Sequence, residues 1–307
     1  RIQACGTGVV LNQTTADIFQ VKFQQNTFGL WAGGTTTASV NHSLFAGNQQ
    51  GLVAKGADVT VDNSVFAGHT SHAVYAENGA LVMDSSEVMN NQQGLGLSGG
   101  THRITATTLS GQTSYGIFAD AGAACTFIAD TIKHNEHGIY ASSGTATIQR
   151  SVIAQNTNYG AYLNGAVNHT MSENTVRLNT TGVFVQGGTV QGNTVSDNSQ
   201  TGIVAANTDI LFNDILANGA QGIETSGSPS IESNQVRGNA GHGILDNGNA
   251  TIQYNEIETN QQDGIRANGL SVVHYNNILN NAGYGLYAAK EDNTTTLDAT
   301  NNYWGVT

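Results

Sequence analysis

One proline, two cysteines, two tryptophans and only ten lysines and arginines stand in 307 residues. Set against 22 acidic residues and a net charge of −12, so few cations form no basic stripe, which excludes a nucleic-acid partner. No apolar run approaches the roughly 18 residues that cross a bilayer, so membrane insertion is not expected. No secretory leader opens the chain and Arg1 falls in mid-pattern, so the sequence reads as a processed or excised piece of a larger protein. Cys5 and Cys125 are separated by more than five repeats of the pattern described next. With stacked strands about 4.8 Å apart that is of order 25 Å, far beyond the roughly 7 Å Cα limit of a disulfide. Both cysteines are therefore expected to be core residues.

What the chain has in abundance is repetition. A glycine returns every 20 to 22 residues, followed by an aliphatic residue and then often an aromatic one: Gly29-Leu30-Trp31, Gly94-Leu95-Gly96, Gly116-Ile117-Phe118, Gly138-Ile139-Tyr140, Gly182-Val183-Phe184. Ala73-Val74-Tyr75 replaces the glycine once, and the series runs from Gly8 to Gly285. Length alone suggests about two domains. The unbroken period predicts instead a single solenoid domain over residues 1–307, each repeat contacting its neighbours.

Each repeat reads as three short strands separated by turns. In residues 138–159, Ile139 and Ala141 alternate with Tyr140, Gly144 ends that strand, Ala146 and Ile148 point inward on a second, and Ser151-Val152-Ile153 begins a third. Gly144 heads a column that includes Gly34, Gly56, Gly79, Gly100, Gly248 and Gly269, which predicts positive φ at that turn. Asparagines form two more columns. One runs Asn26, Asn48, Asn91, Asn135, Asn156 and on to Asn281; the other holds Asn63, Asn174, Asn193, Asn213, Asn234, Asn255, Asn276 and Asn301. Asn accepts left-handed bends, and stacked amides bond along a column. Helical repeats are excluded by their longer period and by this density of Gly and Asn.

Three strands in each of about fourteen rungs, with Gly and Asn columns, resemble the right-handed single-stranded parallel β-helix, an all-β fold, over essentially the whole chain. The resemblance is to the pectate-lyase-like superfamily and the generic secreted bacterial β-helix repeat proteins. The ending Asn301-Asn302-Tyr303-Trp304-Gly305 is similar to their closing motif, whose aromatics cover the last rung. The family includes polysaccharide lyases, alginate epimerases and phage tailspikes, so fold alone does not give function.

The second residue after each glycine points outward and forms an aromatic stripe of Trp31, Tyr75, Phe118, Tyr140, Tyr162 and Phe184. The residue before the glycine joins it with His72, Tyr115, His137 and Tyr159, and Asp120 is among the polar groups on the same face. Flat rings flanked by polar groups suit sugar rings, which makes these eleven residues the candidate carbohydrate- or partner-binding surface. The same rings also serve as strand formers or as a packing face for another subunit. Asp120, His137, Tyr140 and Tyr159 are close enough on neighbouring rungs to move a proton. The family's Asp-Pro-His-Asp epimerase motif, its paired aspartates and its Asp-rich calcium repeats are absent. Asp58 with Asp62 and Glu256 with Glu258 are spaced as solvated neighbours on a strand, so no metal and no cofactor is expected.

Even spacing leaves little room for loops that wall a cleft; Lys290 to Thr296 is the one visible insertion. The expectation leans away from an enzyme: a secreted or cell-surface module that binds a polysaccharide or cell-surface glycan, or serves as a stiff adhesive stalk. The alternatives are a lyase or epimerase acting on a uronate polymer, and a self-associating tailspike or filament shaft. A neighbouring domain or subunit is expected over the N-terminal end, whose open strand edges invite pairing.

Overall fold

The computed structural model describes residues 1–165, 168–289 and 297–305. The Lys290–Thr296 insertion lies outside the described residues. The fold is all-β, a right-handed parallel β-helix of about fourteen turns. The chain divides into two compact units, Arg1–Thr157 and Asn158–Thr307.

Within the first unit each turn runs through three strand columns. The first column includes Phe28–Gly33, Gln50–Lys55, His72–Glu77, Gln93–Ser98 and Tyr115–Asp120; the second includes Thr37–Asn41 and Ala80–Asp84; the third is short, as in Leu44–Ala46 and Val65–Ala67. Pairing is parallel with like positions in register: Val74 lies beside Leu95, Leu95 beside Ile117, and Ile117 beside Ile139. Period-two alternation sends those aliphatics inward, where they are fully buried. The third column stacks Phe23 on Phe45 at 4.6 Å and Phe45 on Phe66 at 4.5 Å. Each buried side chain of this size contributes about 1.5–3 kcal/mol against exposure. The second unit repeats the plan with smaller residues: Ile203, Ile223, Ile244 and Ile265 in the first column, and Val195, Ile215, Val236 and Ile257 in the third.

The repeat glycine is explained by closeness rather than by dihedral freedom. A Cβ on Gly29 would lie 2.5 Å from the carbonyl oxygen of Gly51 in the next turn and 2.9 Å from the Phe45 ring. In the other glycine column Gly34, Gly56 and Gly144 have positive φ, as expected. Gly79, Gly248 and Gly269 do not. They sit where a side chain would run into the backbone of the preceding turn.

The asparagine columns are ladders of buried amides. Asn213 Oδ1 accepts from the Asn193 N–H at 2.9 Å and from Asn193 Nδ2 at 3.0 Å. Its own Nδ2 donates to Val190 O at 2.9 Å and to Asn234 Oδ1 at 3.0 Å. The left-handed bend is taken by the residue just before, such as Phe212 at φ 57° or Gln25 at φ 52°, and not by the asparagine. Two members of the expected second column are displaced. Asn63 and Asn301 are themselves the exposed left-handed residues, and Ser64 and Asn302 occupy the ladder. In the first unit that ladder is made of hydroxyls, Ser43, Ser64, Ser86 and Thr107, and then Asp130, whose Oδ1 accepts from the Thr107 N–H at 2.9 Å. The other ladder takes His69 and Gln112 where Asn is missing. The Asn48 N–H donates to His69 Nδ1 at 3.1 Å, and burial pulls this imidazole down to a pKa of about 4, so it stays neutral.

The cysteines divide. Cys125 is buried and desolvation pushes its thiol up to about 12, whereas Cys5 is exposed, a correction to its expected core position. Its N–H donates to Asn26 Oδ1 at 2.9 Å, so Cys5 stands at the head of the first ladder.

Candidate functional site

The outward positions of the first column hold the aromatic stripe, and the structure sorts its members into groups. Trp31 folds along its own strand and covers Gly33. Buried Val53 stands in the next turn, so no ring of the stripe neighbours Trp31 there. Further along the first unit the rings are continuous. Tyr115 stacks on His137 at 5.1 Å and 20°, Phe118 stacks on Tyr140 at 5.9 Å and 13°, and Tyr115 meets Tyr140 edge-on at 5.3 Å. His137 is covered by these neighbours and counts as buried, although its strand position faces outward. Within the second unit Tyr162 stacks on Phe184 at 4.5 Å, and Tyr159 stands edge-on to Tyr162 at 5.1 Å.

Beyond Val53 the stripe is interrupted a second time inside the first unit. Gly96 pairs with Tyr75 on one side and Phe118 on the other, so one turn lacks its ring. The gap is a slot of about 330 Å³ lined by His72, Tyr75, Gln93, Gly96, Leu97, Tyr115, Phe118 and Asp120. Its walls are two tilted pairs, His72 with Tyr75 at 5.3 Å and Tyr115 with Phe118 at 5.1 Å. With two turns between Tyr75 and Phe118, the interval is about 9.6 Å at the usual strand spacing. Burial holds the His72 imidazole below its ordinary range, partly opposed by a bond with Gln93, and Ser71 Oγ lies 3.1 Å from Nδ1. The slot therefore presents a neutral imidazole, an amide, two phenols and one carboxylate. On its outer flank Lys55 pairs with Glu77 at 3.0 Å and lies 5.7 Å over the Tyr75 ring, so that cation is already engaged.

Five of the expected site residues meet at this slot: His72, Tyr75, Tyr115, Phe118 and Asp120. Gln93, Gly96 and Leu97 line it as well and were not expected there. The signal for them was the triplet Gly94-Leu95-Gly96, where the series carries a second glycine in place of an aromatic.

A second polar group sits in the first column of the other unit. Asp263 Oδ2 lies 3.3 Å from His242 Nδ1 and 3.7 Å from Arg266, whose guanidinium covers the Tyr287 ring at 4.7 Å. The Asp263 N–H donates to His242 Nδ1 at 3.2 Å, which fixes Nδ1 as an acceptor, and burial lowers the imidazole pKa. Asp263 Oδ1 accepts from the Tyr284 N–H at 2.8 Å, so this carboxylate is spent on holding the turn. No group of three or more His, Cys, Asp or Glu among the described residues has the arrangement of a metal site. Among the described residues no helix is long and apolar enough to cross a membrane.

A family model described as right handed beta helix region matches residues 1–132, 115–250 and 213–302, and the chain belongs to that family. Among curated protein sequences none matches. Solved structures match over most of the chain. A double mutant of a periplasmic alginate epimerase aligns at a TM-score of 0.70 and 13% identity, covering 90% of this chain and 77% of its own. The A-module of a mannuronan C-5 epimerase from Azotobacter vinelandii aligns at 0.55 and 12%, covering 94% and 91%. Tailspike protein 3 of bacteriophage CBA120 aligns at 0.54 and 11%, covering 94% of this chain and 51% of that one. At such identities the likeness is one of fold.

Proposed function

We propose that this chain is a secreted or cell-surface β-helix module that holds an extended carbohydrate polymer along the first strand column of Arg1–Thr157, without reacting it. The observation that carries this reading is the slot over Gly96. Sugar C–H faces pack against Tyr75 and Phe118, while Gln93, Tyr115 and Asp120 meet hydroxyls. Asp120 is the slot's one carboxylate and among the described residues no free cation lines the slot, which favours a neutral sugar over a uronate. That solved structures of similar fold include two alginate epimerases supports a polysaccharide partner in general.

The decisive variant is Gly96→Phe. φ at Gly96 is not positive, and the nearest obstacles to a side chain are the movable His72 and Tyr75 rings. A ring there completes the stripe and fills the slot. Affinity electrophoresis through gels containing hydroxyethyl cellulose is expected to show retardation of the native chain. Losing one stacked sugar is worth about 1.4 kcal/mol, so the variant should bind about tenfold more weakly with its thermal transition unchanged. Equal retardation of both proteins would remove the slot from the argument. A second reading, a uronate-directed lyase or epimerase, rests on the His242–Asp263–Arg266–Tyr287 group. Unsaturated ends or inverted residues formed in a uronate polymer would establish it instead.

A further inference from the structure

In Asn158–Thr307 the corner between the second and third strands carries one outward left-handed residue per turn, just before the ladder asparagine. Gly192 and Ser233 hold this place in two turns, so the backbone needs nothing larger there. Phe212, Tyr254 and Tyr275 hold it in three others, at φ of 57°, 58° and 55°. A bulky residue in that region is strained, whereas Gly and Asn enter it readily. These three rings are also 59%, 56% and 50% exposed. Large apolar groups held in a strained conformation and left in solvent do nothing for the core, and they point to a surface made for contact.

The geometry says what kind. Tyr254 and Tyr275 stack with centroids 5.3 Å apart and planes 7° from parallel. Leu211, Glu232, Gln253 and His274 pair in register immediately before them, which sets Phe212 two turns from Tyr254 with only Ser233 between. That interval is about 9.6 Å, a step floored by serine and wide enough for one flat ring. Asp214, Glu232 and Glu256 flank the corner, together with the Gln253 and Asn277 amides. The one cationic candidate there among the described residues is His274, which stands edge-on to Tyr275 and is paired through Nε2 with Asp298 at 2.8 Å. Carboxylates and amides bond hydroxyl groups well, and the same carboxylates repel a polyanion.

We propose that this corner binds a neutral polysaccharide chain, with sugar faces on Phe212, Tyr254 and Tyr275 and hydroxyls bonded by Glu232, Gln253 and Glu256. The site shares its ligand class with the proposed function and none of its residues.

The test uses the full chain in gels containing hydroxyethyl cellulose or polygalacturonate. Tyr254→Asn with Tyr275→Asn keeps residues that accept the left-handed bend. In a Gly96→Phe background, where the slot is filled, the protein is expected to stay retarded by hydroxyethyl cellulose and not by polygalacturonate. Adding the two asparagines removes two of the corner's three rings and should weaken that retardation by about tenfold or more, with the thermal transition unchanged or raised. Loss of all retardation on Gly96→Phe alone would overturn the corner site and leave the slot standing. Retardation that Gly96→Phe leaves untouched and the tyrosine variant removes would sustain the corner and end the slot. A lowered thermal transition with unchanged retardation would make the rings structural. Equal retardation by polygalacturonate in the Gly96→Phe protein would overturn the choice of a neutral ligand. Sedimentation showing a native dimer that the tyrosine variant dissociates would give the corner to a second copy of the chain.

Discussion

Replacing Asn213 by alanine removes four hydrogen bonds at one stroke. Its Oδ1 serves the Asn193 N–H and Asn193 Nδ2, and its Nδ2 serves Val190 O and Asn234 Oδ1, all between 2.9 and 3.0 Å. Asn213 has no exposed surface, and Asn193 and Asn234 are buried beside it. The groups left behind have poor access to water, so each lost bond costs about 1 kcal/mol or somewhat more, and the four together about 4 kcal/mol. Lost packing of the amide adds little, because alanine keeps the Cβ. A solenoid divides its stability among neighbouring turns and need not unfold in one step, so a global midpoint dilutes a local loss. Amide hydrogen exchange at Asn193 reads the effect where it occurs. Protection there is expected to fall by about three orders of magnitude, as a 1.4 kcal/mol loss is tenfold, while exchange at turns farther along changes little. Asn213→Gln is the graded control, since Gln112 and His69 show that other acceptors fit the equivalent place in the other ladder. A fall in protection of less than tenfold for Asn213→Ala would refute the view that the ladder, rather than strand pairing, holds the corners.

Two further predictions concern stability. Burial raises the Asp130 carboxyl from 3.8 to about 7, and its Oδ2 has no partner among the described residues. The folded state then holds the proton more tightly than the unfolded chain, so the contribution is fully present below about pH 4 and is lost as pH rises toward 7. Denaturant titrations should show that Asp130→Ser, the residue of Ser43, Ser64 and Ser86 in the same ladder, flattens this trend and stabilises the chain at pH 8 by a few kcal/mol; a native stability that rises from pH 4 to pH 8 with no change on substitution would contradict it. Gly29→Ala places a methyl 2.5 Å from a carbonyl oxygen and 2.9 Å from the packed Phe45 ring, so a loss of about 1–3 kcal/mol is expected by chemical denaturation. Ala73 occupies the same column in one turn, and a loss under about 0.5 kcal/mol would mean that every turn can adjust as that one does.

The candidate sites were legible only in part. The rings of the first slot were visible because outward positions recur at a fixed offset from the glycine. Its binding shape was not, because a slot depends on the absence of a ring at Gly96 and on how His72 and Tyr75 lean across the gap. The exposed rings at Phe212, Tyr254 and Tyr275 leave no mark in the sequence because each precedes an asparagine, and asparagine is the residue expected at the bend. Which of two adjacent residues takes the left-handed conformation is a backbone matter, and Tyr254 gives no local sign that it does. Asn63 and Ser64 were exchanged for the same reason: a hydroxyl in a column of amides looks like a surface residue until the ladder is seen to pass through it.

By itself the sequence determined the architecture. A period of 20 to 22 residues with aliphatics at fixed offsets admits only stacked turns, because each turn must bury its apolar face on the next. Only the tertiary structure decided what each column is for. It showed that the repeat glycine answers a carbonyl of the next turn, that amides and hydroxyls form the ladders, and that the outer faces leave a slot at Gly96 and exposed rings at Phe212, Tyr254 and Tyr275. Those outcomes turn on distances of a few ångströms between residues about twenty positions apart, and the chain's order does not carry them.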